Sequence, residues 1–313
     1  MKPNPDNLTL AVVIPTHNRW EELRTTLTYL SKSDYAPFDI IVVDDGCTDG
    51  TSENCKREFP NVHLLHGDGD LWWSGAINEG TRYALDHGAR AIVWMNDDNR
   101  IEVDALSQMV ASFNRNGARS VICSRTKSLE TGTDEWIGEP PIWHRESATW
   151  TAPDLSAVDV PISHPPGGRG VLISAECFDE IGLIDAKSFP HYWADHDFHY
   201  RAMKAGFRYF LATGAVVWNV PNKKRLTDDK LFSSTGIFWF LFNRRSPMNM
   251  PTVRRLLKRH LAPAEYRKIF FPLLRRHLIW LSYEWLKRNW LFEPVRRIKR
   301  SLLPHKASSN SSR

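Results

Sequence analysis

Two adjacent aspartates, Asp97 and Asp98, follow an apolar run that ends at Met95, with Asn96 in between. Neighbouring carboxylates beyond a buried strand repel each other unless a cation is shared between them. Mg²⁺ and Mn²⁺ bind one or two protein carboxylates and complete their coordination with phosphate oxygens. The pair therefore predicts a metal site that also binds phosphate. The alternative is a polar turn that caps the following helix, since aspartates are common turn residues.

A further candidate carboxylate is Asp195, in the segment WADHD at the start of a helix predicted over 195–205. Transfer of a group to a hydroxyl needs a base within hydrogen-bond reach of that hydroxyl, and an aspartate can be that base. The alternative is that Asp195 caps the helix N-terminus, where aspartate is favoured. Capping explains one aspartate but not its neighbour Asp197, so we favour the catalytic role.

Two further segments contain residues that can bind a sugar or a phosphate. Trp72 and Trp73 can stack on a sugar ring or a base, or they can pack in the core, and the sequence leaves both possibilities open. The loop 167–170, with Arg169 among three glycines, can offer backbone N–H groups and a guanidinium to a phosphate. The alternative is that this segment is an ordinary loop that leads into the next strand.

The elements that must position these residues alternate along the chain. The runs AVVI, IIVV and AIVW are apolar without alternation, which is typical of parallel strands covered on both faces. Repeated strand–helix–strand order predicts an α/β fold with a doubly wound, mostly parallel sheet. The predicted strands are 8–14 (stopped by Pro15), 39–43, 62–65, 91–95, 121–124, 170–174 and 208–217. The predicted helices are 21–31, 51–59, 76–85, 103–114, 176–181 and 195–205.

Ligands of open α/β sheets bind at the carboxyl ends of the strands. Here the first two ends read PTHNR and DDGCTDG, and the aspartate pair follows the strand predicted over 91–95. No G-x-G-x-x-G follows the first strand, and no G-x-x-x-x-G-K-[ST] occurs in the chain. These absences argue against a dinucleotide site and against a P-loop.

In their order and spacing, VVIPTHNR, VVDDGCTDG and WMNDDNRIEVDAL resemble the family-2 glycosyltransferases with the GT-A fold. The segments GGRGVLIS, FDEIGLID and WADHDFHYRAMKAGF agree, and the resemblance covers about residues 8–220. GDGDLWWSGAINEG and FWFLFNRRS are similar to the rhamnosyltransferase-like branch of bacterial cell-surface polysaccharide enzymes. The resemblance alone suggests dTDP-rhamnose as donor.

The resemblance implies a nucleotide pocket at the first two strand ends. In such enzymes, residues equivalent to Pro15, Thr16 and Asn18 line the nucleotide pocket. Asp44 or Asp45 would contact the base or the ribose.

The resemblance also assigns the rest of the donor site. Asn96, Asp97 and Asp98 occupy the D-x-D position, and an asparagine in first place indicates Asp98 as the ligand of Mg²⁺ or Mn²⁺ with Asp97 in support. Trp73 and Arg169 complete the predicted donor-binding set.

For the chemical step, the resemblance implies Asp195 as the catalytic base. Ala194 replaces the glutamate that precedes the base in the family pattern, and Asn219 stands where some relatives have a metal-binding histidine. The second departure argues against a strict metal requirement. One base and direct displacement would invert the configuration at the anomeric carbon.

Charge divides the chain into two parts. Residues 251–313 carry 16 Lys and Arg and 3 Asp and Glu, a balance of +13, whereas the other 250 residues balance at −8. The basic part interleaves Arg and Lys with Leu, Phe and the tryptophans Trp280, Trp285 and Trp290. This pattern predicts amphipathic helices that contact an anionic membrane, with a packed helical appendage as the alternative and no nucleic-acid partner.

The predicted organisation is a catalytic domain over 1–220, a basic helical region over 221–303 and a disordered Ser-rich tail over 304–313. Four scattered cysteines, no signal peptide and no apolar run of spanning length favour a cytoplasmic protein, peripheral on the inner face of the membrane.

The predicted function is inverting transfer of a sugar from a nucleoside-diphosphate sugar to a saccharide acceptor, which we expect to be lipid-linked. One alternative is a sugar-1-phosphate nucleotidyltransferase, but the Gly-rich loop with Arg and Lys expected after its first strand is absent from PTHNRWEEL. The other is a non-catalytic scaffold on a degenerate transferase fold, attached to a membrane. The substitutions at Asn96, Ala194 and Asn219 favour the scaffold. Retention of Asp97, Asp98 and Asp195 argues against it.

Overall fold

The computed structural model of the protein describes residues 8–136, 152–164, 166–220, 239–244 and 246–286, with the side chains of 284 and 285 left aside. The chain divides into two compact units, Met1–Lys223 and Lys224–Arg313. Each unit is considered separately below.

The first unit alternates strands and helices along most of its length. Its strands are β1 Leu10–Thr16, β2 Phe38–Asp44, β3 His63–His66, β4 Ala91–Trp94, β5 Asn99–Ile101, β6 Ser120–Ser128, β7 Asp134–Trp136, β8 Asp159–Ile162, β9 Val171–Ser174 and β10 Arg208–Asn219. Its helices are α1 Trp20–Leu30, α2 Thr51–Glu58, α3 Trp72–Asp86, α4 Ala105–Asn116, α5 Ala175–Ile181 and α6 Ala194–Lys204.

The strands form one mixed sheet in the order β3-β2-β1-β4-β9-β6-β10-β5, with β7 paired to β6 and β8 to β10. Neighbours β3, β2, β1 and β4 are parallel, as are β6 and β10. Strand β9 is antiparallel to both β4 and β6, between which it lies. The predicted α/β class with a mostly parallel sheet is therefore confirmed.

The register of the parallel strands brings three predicted strand ends to one edge of the sheet. Thr16, the last residue of β1, pairs with Asp44, the last residue of β2. On the other side of β1, the amide of Met95 donates to the carbonyl of Val13 at 3.0 Å, so the segment after β4 emerges beside the end of β1. This edge carries the candidate site.

The helices bury the faces that the apolar spacing predicted. In α1, Leu23, Leu27 and Leu30 are at most 1% exposed. They belong to the main apolar cluster together with Leu10, Val12 and other strand residues. A fully buried leucine contributes about 1.5–3 kcal/mol, so this face is enough to hold the helix against the sheet.

Two sequence predictions about element boundaries are wrong. Pro15 does not stop β1, which continues to Thr16, because Pro15 lies beyond the last β1–β4 pair at Val13 and needs no N–H for that ladder. Helix α3 begins at Trp72 instead of residue 76, so both tryptophans lie in its first turn. The short antiparallel strands β5, β7 and β8 were also not predicted.

Among the described residues of the second unit are helices α7 Met250–His260 and α8 Pro263–Leu286, which contact each other. Asn249 caps α7 by accepting a hydrogen bond from the amide of Thr252 at 2.9 Å. None of the described helices is long and apolar enough to cross a membrane. Trp290 and the predicted tail over 304–313 lie outside the described residues, and so does the side chain of Trp285.

Candidate active site

A cleft of about 510 Å³ opens in the first unit, next to the ends of β1 and β4. It brings together five of the residues predicted from the sequence. They are Trp73, Asn96, Asp98, Arg169 and Asp195. The cleft is also lined by side chains that had no predicted role, among them Glu135 and His196.

The aspartate pair shares one guanidinium. Nη1 of Arg19 lies 2.9 Å from Oδ1 of Asp97, and Nη2 lies 3.0 Å from Oδ2 of Asp98. The hydroxyl of Thr16 donates to the other oxygen of Asp97 at 2.9 Å. Burial is the largest effect on the pKa of Asp97 and raises it, Arg19 lowers it and Asp98 raises it, and the resulting pKa is about 7. Asp97 is only 4% exposed and therefore supports the site from within the protein. Asp98, in contrast, faces the cleft.

Asp98 fits a divalent cation. Its Oδ1 is buried and has no hydrogen-bond partner among the described residues, while Arg19 holds Oδ2. Over the same residues, no group of three or more His, Cys, Asp and Glu side chains is arranged to hold a metal. Asp98 would thus act as a single protein ligand with diphosphate oxygens completing the coordination, as hard cations permit.

Asn219 at the end of β10 is bound to a carboxylate. Its side-chain amide donates to Oε2 of Glu135 at 2.8 Å. The same carboxylate lies 3.5 Å from Nη1 of Arg169. Glu135 therefore links the end of β10 to the glycine-rich loop, in a segment where the sequence showed no periodic pattern that could have predicted it.

Asp195 is held at both carboxylate oxygens. The amide of Gly168 donates to Oδ2 at 2.9 Å, and the amide and Nδ1 of His196 donate to Oδ1 at 2.8 and 3.0 Å. Burial by itself would raise the pKa of Asp195, but the interactions with His196 outweigh it and lower that pKa to about 2. The carboxylate is therefore ionised at neutral pH and faces the cleft.

Asp195 is not a helix cap. The N-cap position of α6 is Trp193, and no side chain makes a capping hydrogen bond there. Asp197 is also not in the cleft. It is fully buried and accepts a hydrogen bond from Nε of Arg201 at 3.1 Å, which gives it a structural role.

Trp73 is hydrogen-bonded to the asparagine before the aspartate pair. Its Nε1 donates to Oδ1 of Asn96 at 3.0 Å. Its ring meets the buried Trp94 edge to face, with centroids 6.1 Å apart. This packing is one of the two possibilities the sequence left open, and the ring still lines the cleft.

The polar side chains at the ends of β1 and β2 make hydrogen bonds that hold the neighbouring loops in place. Asn18 accepts from the amide of Thr48 at 2.7 Å. Asp44 accepts from the amide of Cys47 at 2.7 Å and from the hydroxyl of Ser52.

Asp45 is engaged in the same way. It accepts from the amides of Gly69, Leu71 and Trp72 at 2.9–3.2 Å. Pro15, Thr16, Asn18, Asp44 and Asp45 gather at one edge but do not line the cleft as described, so their contacts with a nucleotide remain predictions.

Positive φ angles mark three turns around this region. Of the described non-glycine residues, those with positive φ are Asn18, Trp72 and Trp193. They immediately precede Arg19, Trp73 and the first turn of α6. Such backbone strain persists only where the surroundings impose it, and it clusters at functional sites.

Comparison with known proteins agrees with the fold. Residues 11–163 match the sequence profile described as Glycosyl transferase family 2. Similar proteins include the dTDP-rhamnosyl transferase RfbF of Shigella flexneri, 24% identical over 86% of this chain and 83% of that protein. The N-acetylglucosaminyl-diphospho-decaprenol L-rhamnosyltransferase of Mycobacterium tuberculosis is 26% identical, over 63% of this chain and 71% of that protein.

A shorter match has higher identity. The undecaprenyl-phosphate mannosyltransferase of Micrococcus luteus is 34% identical over 31% of this chain, and this match spans only 41% of that protein.

Solved structures share the fold at low sequence identity. GalNAc-T7, solved with UDP, GalNAc and Mn²⁺, superposes with a TM-score of 0.59 at 15% identity, over 94% of this chain and 58% of that one. TarS of S. aureus, solved with UDP, superposes with a TM-score of 0.53 at 14% identity, over 90% and 74% of the two chains. The predicted GT-A fold is confirmed. Residues 11–163 therefore match glycosyl transferase family 2, and the first unit has the GT-A fold.

Proposed function

We propose that this enzyme transfers a sugar from a nucleoside-diphosphate sugar to a hydroxyl of a saccharide acceptor, with inversion at the anomeric carbon. The observation that carries the proposal is that Asp98 and Asp195 line one cleft. Asp98 is suited to the diphosphate end of a donor, and Asp195 is a separate, ionised carboxylate suited to the acceptor.

The chemical step balances with one base. The acceptor oxygen forms a bond to the anomeric carbon while the bond from that carbon to the diphosphate oxygen breaks. Asp195 takes the proton of the acceptor hydroxyl, and the nucleoside diphosphate leaves. A single displacement inverts the anomeric configuration.

Asp98 would hold Mg²⁺ or Mn²⁺ through its unpaired Oδ1, and the cation supplies positive charge for the leaving diphosphate. The Mn²⁺ in the GalNAc-T7 structure is consistent with this choice. Arg19 keeps the aspartate pair neutralised from within the protein and fixes the orientation of Asp98.

For the donor, the names of RfbF and the Mycobacterium protein support dTDP-rhamnose. For the acceptor, the decaprenol and undecaprenyl groups in the relatives' names support a saccharide linked to a polyprenyl lipid. None of these three names favours the sugar-1-phosphate nucleotidyltransferase or the scaffold.

A thermal-shift screen tests the donor class. Nucleoside-diphosphate sugars, including dTDP-rhamnose and UDP-GlcNAc, are added with Mn²⁺ or with a chelator. A donor at 100 times its dissociation constant stabilises the fold by about 2.7 kcal/mol, which gives a readily measured shift. We expect dTDP-rhamnose to shift the midpoint with Mn²⁺ and less with chelator. If no nucleotide sugar shifts it under either condition, the proposed donor class is wrong.

We also propose that the second unit contacts an anionic membrane surface. Helix α8 has one buried apolar face, with Tyr266, Phe270, Leu273 and Leu281 at most 9% exposed. Five further large apolar side chains on the same helix are at least 44% exposed. They are Phe271, Leu278, Ile279, Tyr283 and Leu286.

The exposed side chains form a second apolar stripe, because their spacing places them opposite the buried face. Residues 250–286 also carry eight Lys and Arg and two Asp and Glu, so the surface around the stripe is basic. An apolar stripe within basic surroundings suits the headgroup region of an anionic bilayer. Trp280, which the sequence assigned to this contact, packs against Phe240 while 42% exposed. A peripheral position on the cytoplasmic side would bring the cleft to a lipid-linked acceptor.

A further inference from the structure

Gly168 lies between the proposed base and the ring of Trp73. Its amide donates to Oδ2 of Asp195 at 2.9 Å. A Cβ atom on Gly168 would fall far inside van der Waals distance of Cζ2 and Cη2 of Trp73. Only glycine lets the backbone approach the indole this closely while keeping its N–H directed at the carboxylate.

The indole itself is fixed in place. Its Nε1 donates to Asn96 at 3.0 Å, and its ring meets that of Trp94, which is fully buried. The backbone amide of Asn96 is in turn bound to Oδ1 of Asn99 at 3.0 Å. The ring therefore connects the segment of the aspartate pair to the loop that holds Asp195.

We propose that Trp73 is a positioning residue for Asp195, acting through the backbone of Gly168. This inference rests on the proposed role of Asp195 as the base. The indole supports the loop at Gly168, and the loop amide fixes one carboxylate oxygen while His196 fixes the other. The orientation of the base toward an acceptor hydroxyl thus depends on the ring of Trp73. The position of that ring depends in turn on the segment that carries the aspartate pair. A tryptophan that only stacks on the donor sugar would not produce this dependence.

The test adds a methyl group at Gly168 and then removes the ring atoms that oppose it. Gly168→Ala should push the loop from the indole and break the hydrogen bond to Asp195. The loss in kcat should be about 100-fold, the usual effect of a displacement near 1 Å, with little change in KM for the donor. Gly168→Ala combined with Trp73→Phe should recover about 10-fold of that loss, since phenylalanine lacks the opposing atoms. The assay uses dTDP-rhamnose with an N-acetylglucosaminyl-diphosphoprenol acceptor.

Gly167→Ala is the matched control in the same loop. A Cβ there would lie 3.6 Å from Oδ2 of Asp195, an ordinary contact, so we expect a loss at least ten times smaller than that of Gly168→Ala. Crystal structures of Gly168→Ala and of the double variant add a readout independent of any substrate. The distance from the residue-168 amide to Asp195 Oδ2 should exceed about 3.5 Å in the single variant and return to normal hydrogen-bond length in the double variant.

Three results would overturn the inference. The first is a Gly168→Ala structure that keeps the hydrogen bond. The second is a double variant with no recovery. The third is a Trp73→Phe protein with a raised donor KM and unchanged kcat, which would assign the ring to stacking. Failure of the proposed function is distinguishable, because Asp195→Asn would then retain kcat whatever the Gly168 variants do.

Discussion

Asp97 and Asp98 share the guanidinium of Arg19, which adds a protein cation to a site that the sequence assigned to a metal alone. Arg19 lies within the first segment used for the family resemblance, yet it had no predicted role. Its partners are 78 and 79 residues away in the sequence, and only the pairing of β1 with β4 brings them together. Two carboxylates this close require either the guanidinium or another cation.

Replacing Arg19 should make the fold depend on a divalent cation. Arg19→Gln leaves both carboxylates unpaired, and we expect a loss of about 1–3 kcal/mol in the free energy of unfolding, since the pair is only partly exposed. Mn²⁺ should restore more stability to this variant than to the wild type. Thermal unfolding with and without Mn²⁺ measures both effects.

Arg24→Gln is the control in the same helix. Arg24 pairs with Glu58 at the surface and is 53% exposed, so its loss should cost at most about 1 kcal/mol and should not respond to Mn²⁺. Equal stabilisation of the Arg19 variant and the wild type by Mn²⁺ would count against a shared cation site.

With Asp195 as the proposed base, its pKa determines the pH dependence expected of the chemical step. Because the folded pKa is about 2, below the ordinary value of 3.8, the group contributes stability that is present above about pH 4 and lost as pH falls through 2. The base is likewise ionised above about pH 4, so kcat/KM should show no acid limb from Asp195 at pH 5 and above. His196→Asn should raise this pKa and move the acid limb to higher pH. A pH–rate profile that coincides with that of the wild type would contradict the pairing.

The strand-end rule predicted where the site lies better than which side chains meet there. Asp98 and Trp73 share one cleft because they follow the parallel strands β4 and β3, whose carboxyl ends lie along one edge. Arg169 reaches the same cleft because it precedes the antiparallel strand β9, and Asp195 reaches it from helix α6. Contacts such as that between His196 and Asp195 depend on side-chain orientation in the first turn of a helix, which no periodic pattern reports.

At the scale of elements, α3 packs on the sheet more closely than most helices can. A Cβ on Gly80 would overlap Cγ1 of Val13 and would lie 3.1 Å from Cγ2 of Val43. The sequence placed the start of α3 four residues late, because its first turn, with two tryptophans and two small residues, has no apolar repeat. Strand propensity likewise could not indicate that β9 runs antiparallel between β4 and β6.

Replacing Gly80 by alanine would have two opposing effects on the free energy of unfolding. Alanine is favoured over glycine inside a helix by about 1 kcal/mol, but overpacking a core costs about 1–3 kcal/mol. We expect packing to dominate, because the overlapping Val13 is fully buried in the sheet. Gly80→Ala should therefore lower the free energy of unfolding in urea.

Glu79→Ala, one residue away on the exposed side of α3, should change that free energy by less than about 0.5 kcal/mol. A stabilised Gly80→Ala protein would show that α3 can move away from the sheet.

At the scale of the whole molecule, charge and exposed apolar surface occur together in the second unit. The sequence revealed the +13 balance of residues 251–313 and predicted amphipathic helices. It could not reveal that α8 has apolar residues on two faces, because an apolar pattern does not say which residues the neighbouring helix will cover. The exposed stripe, and not only the tryptophans, is therefore the surface to test.

Removing the stripe should weaken membrane binding. In the full-length protein, Phe271, Leu278 and Ile279 are replaced together by serine, and flotation with phosphatidylglycerol vesicles is measured at low and high salt. Each basic residue near such a surface contributes about 1 kcal/mol, a term that high salt screens, whereas apolar burial is not screened. We expect the wild type to keep part of its binding at high salt and the triple variant to lose nearly all of it.

Serine at Val103 and Val158, which are 53% and 59% exposed in the first unit, is the matched control and should leave flotation unchanged. If the triple variant floats like the wild type at high salt, α8 is not the membrane-binding face.

We propose Asp195 as the base of a glycosyl transfer in this cleft, and the variant Asp195→Asn tests that role. The turnover number and the donor dissociation constant are measured for this variant, with exposed Asp179→Asn as control. A general base contributes about 100- to 10,000-fold, so kcat should fall by that factor while donor affinity stays within about threefold. Retained kcat, or lost donor affinity with kcat unchanged, would contradict the claim and make Asp195 a binding or structural residue.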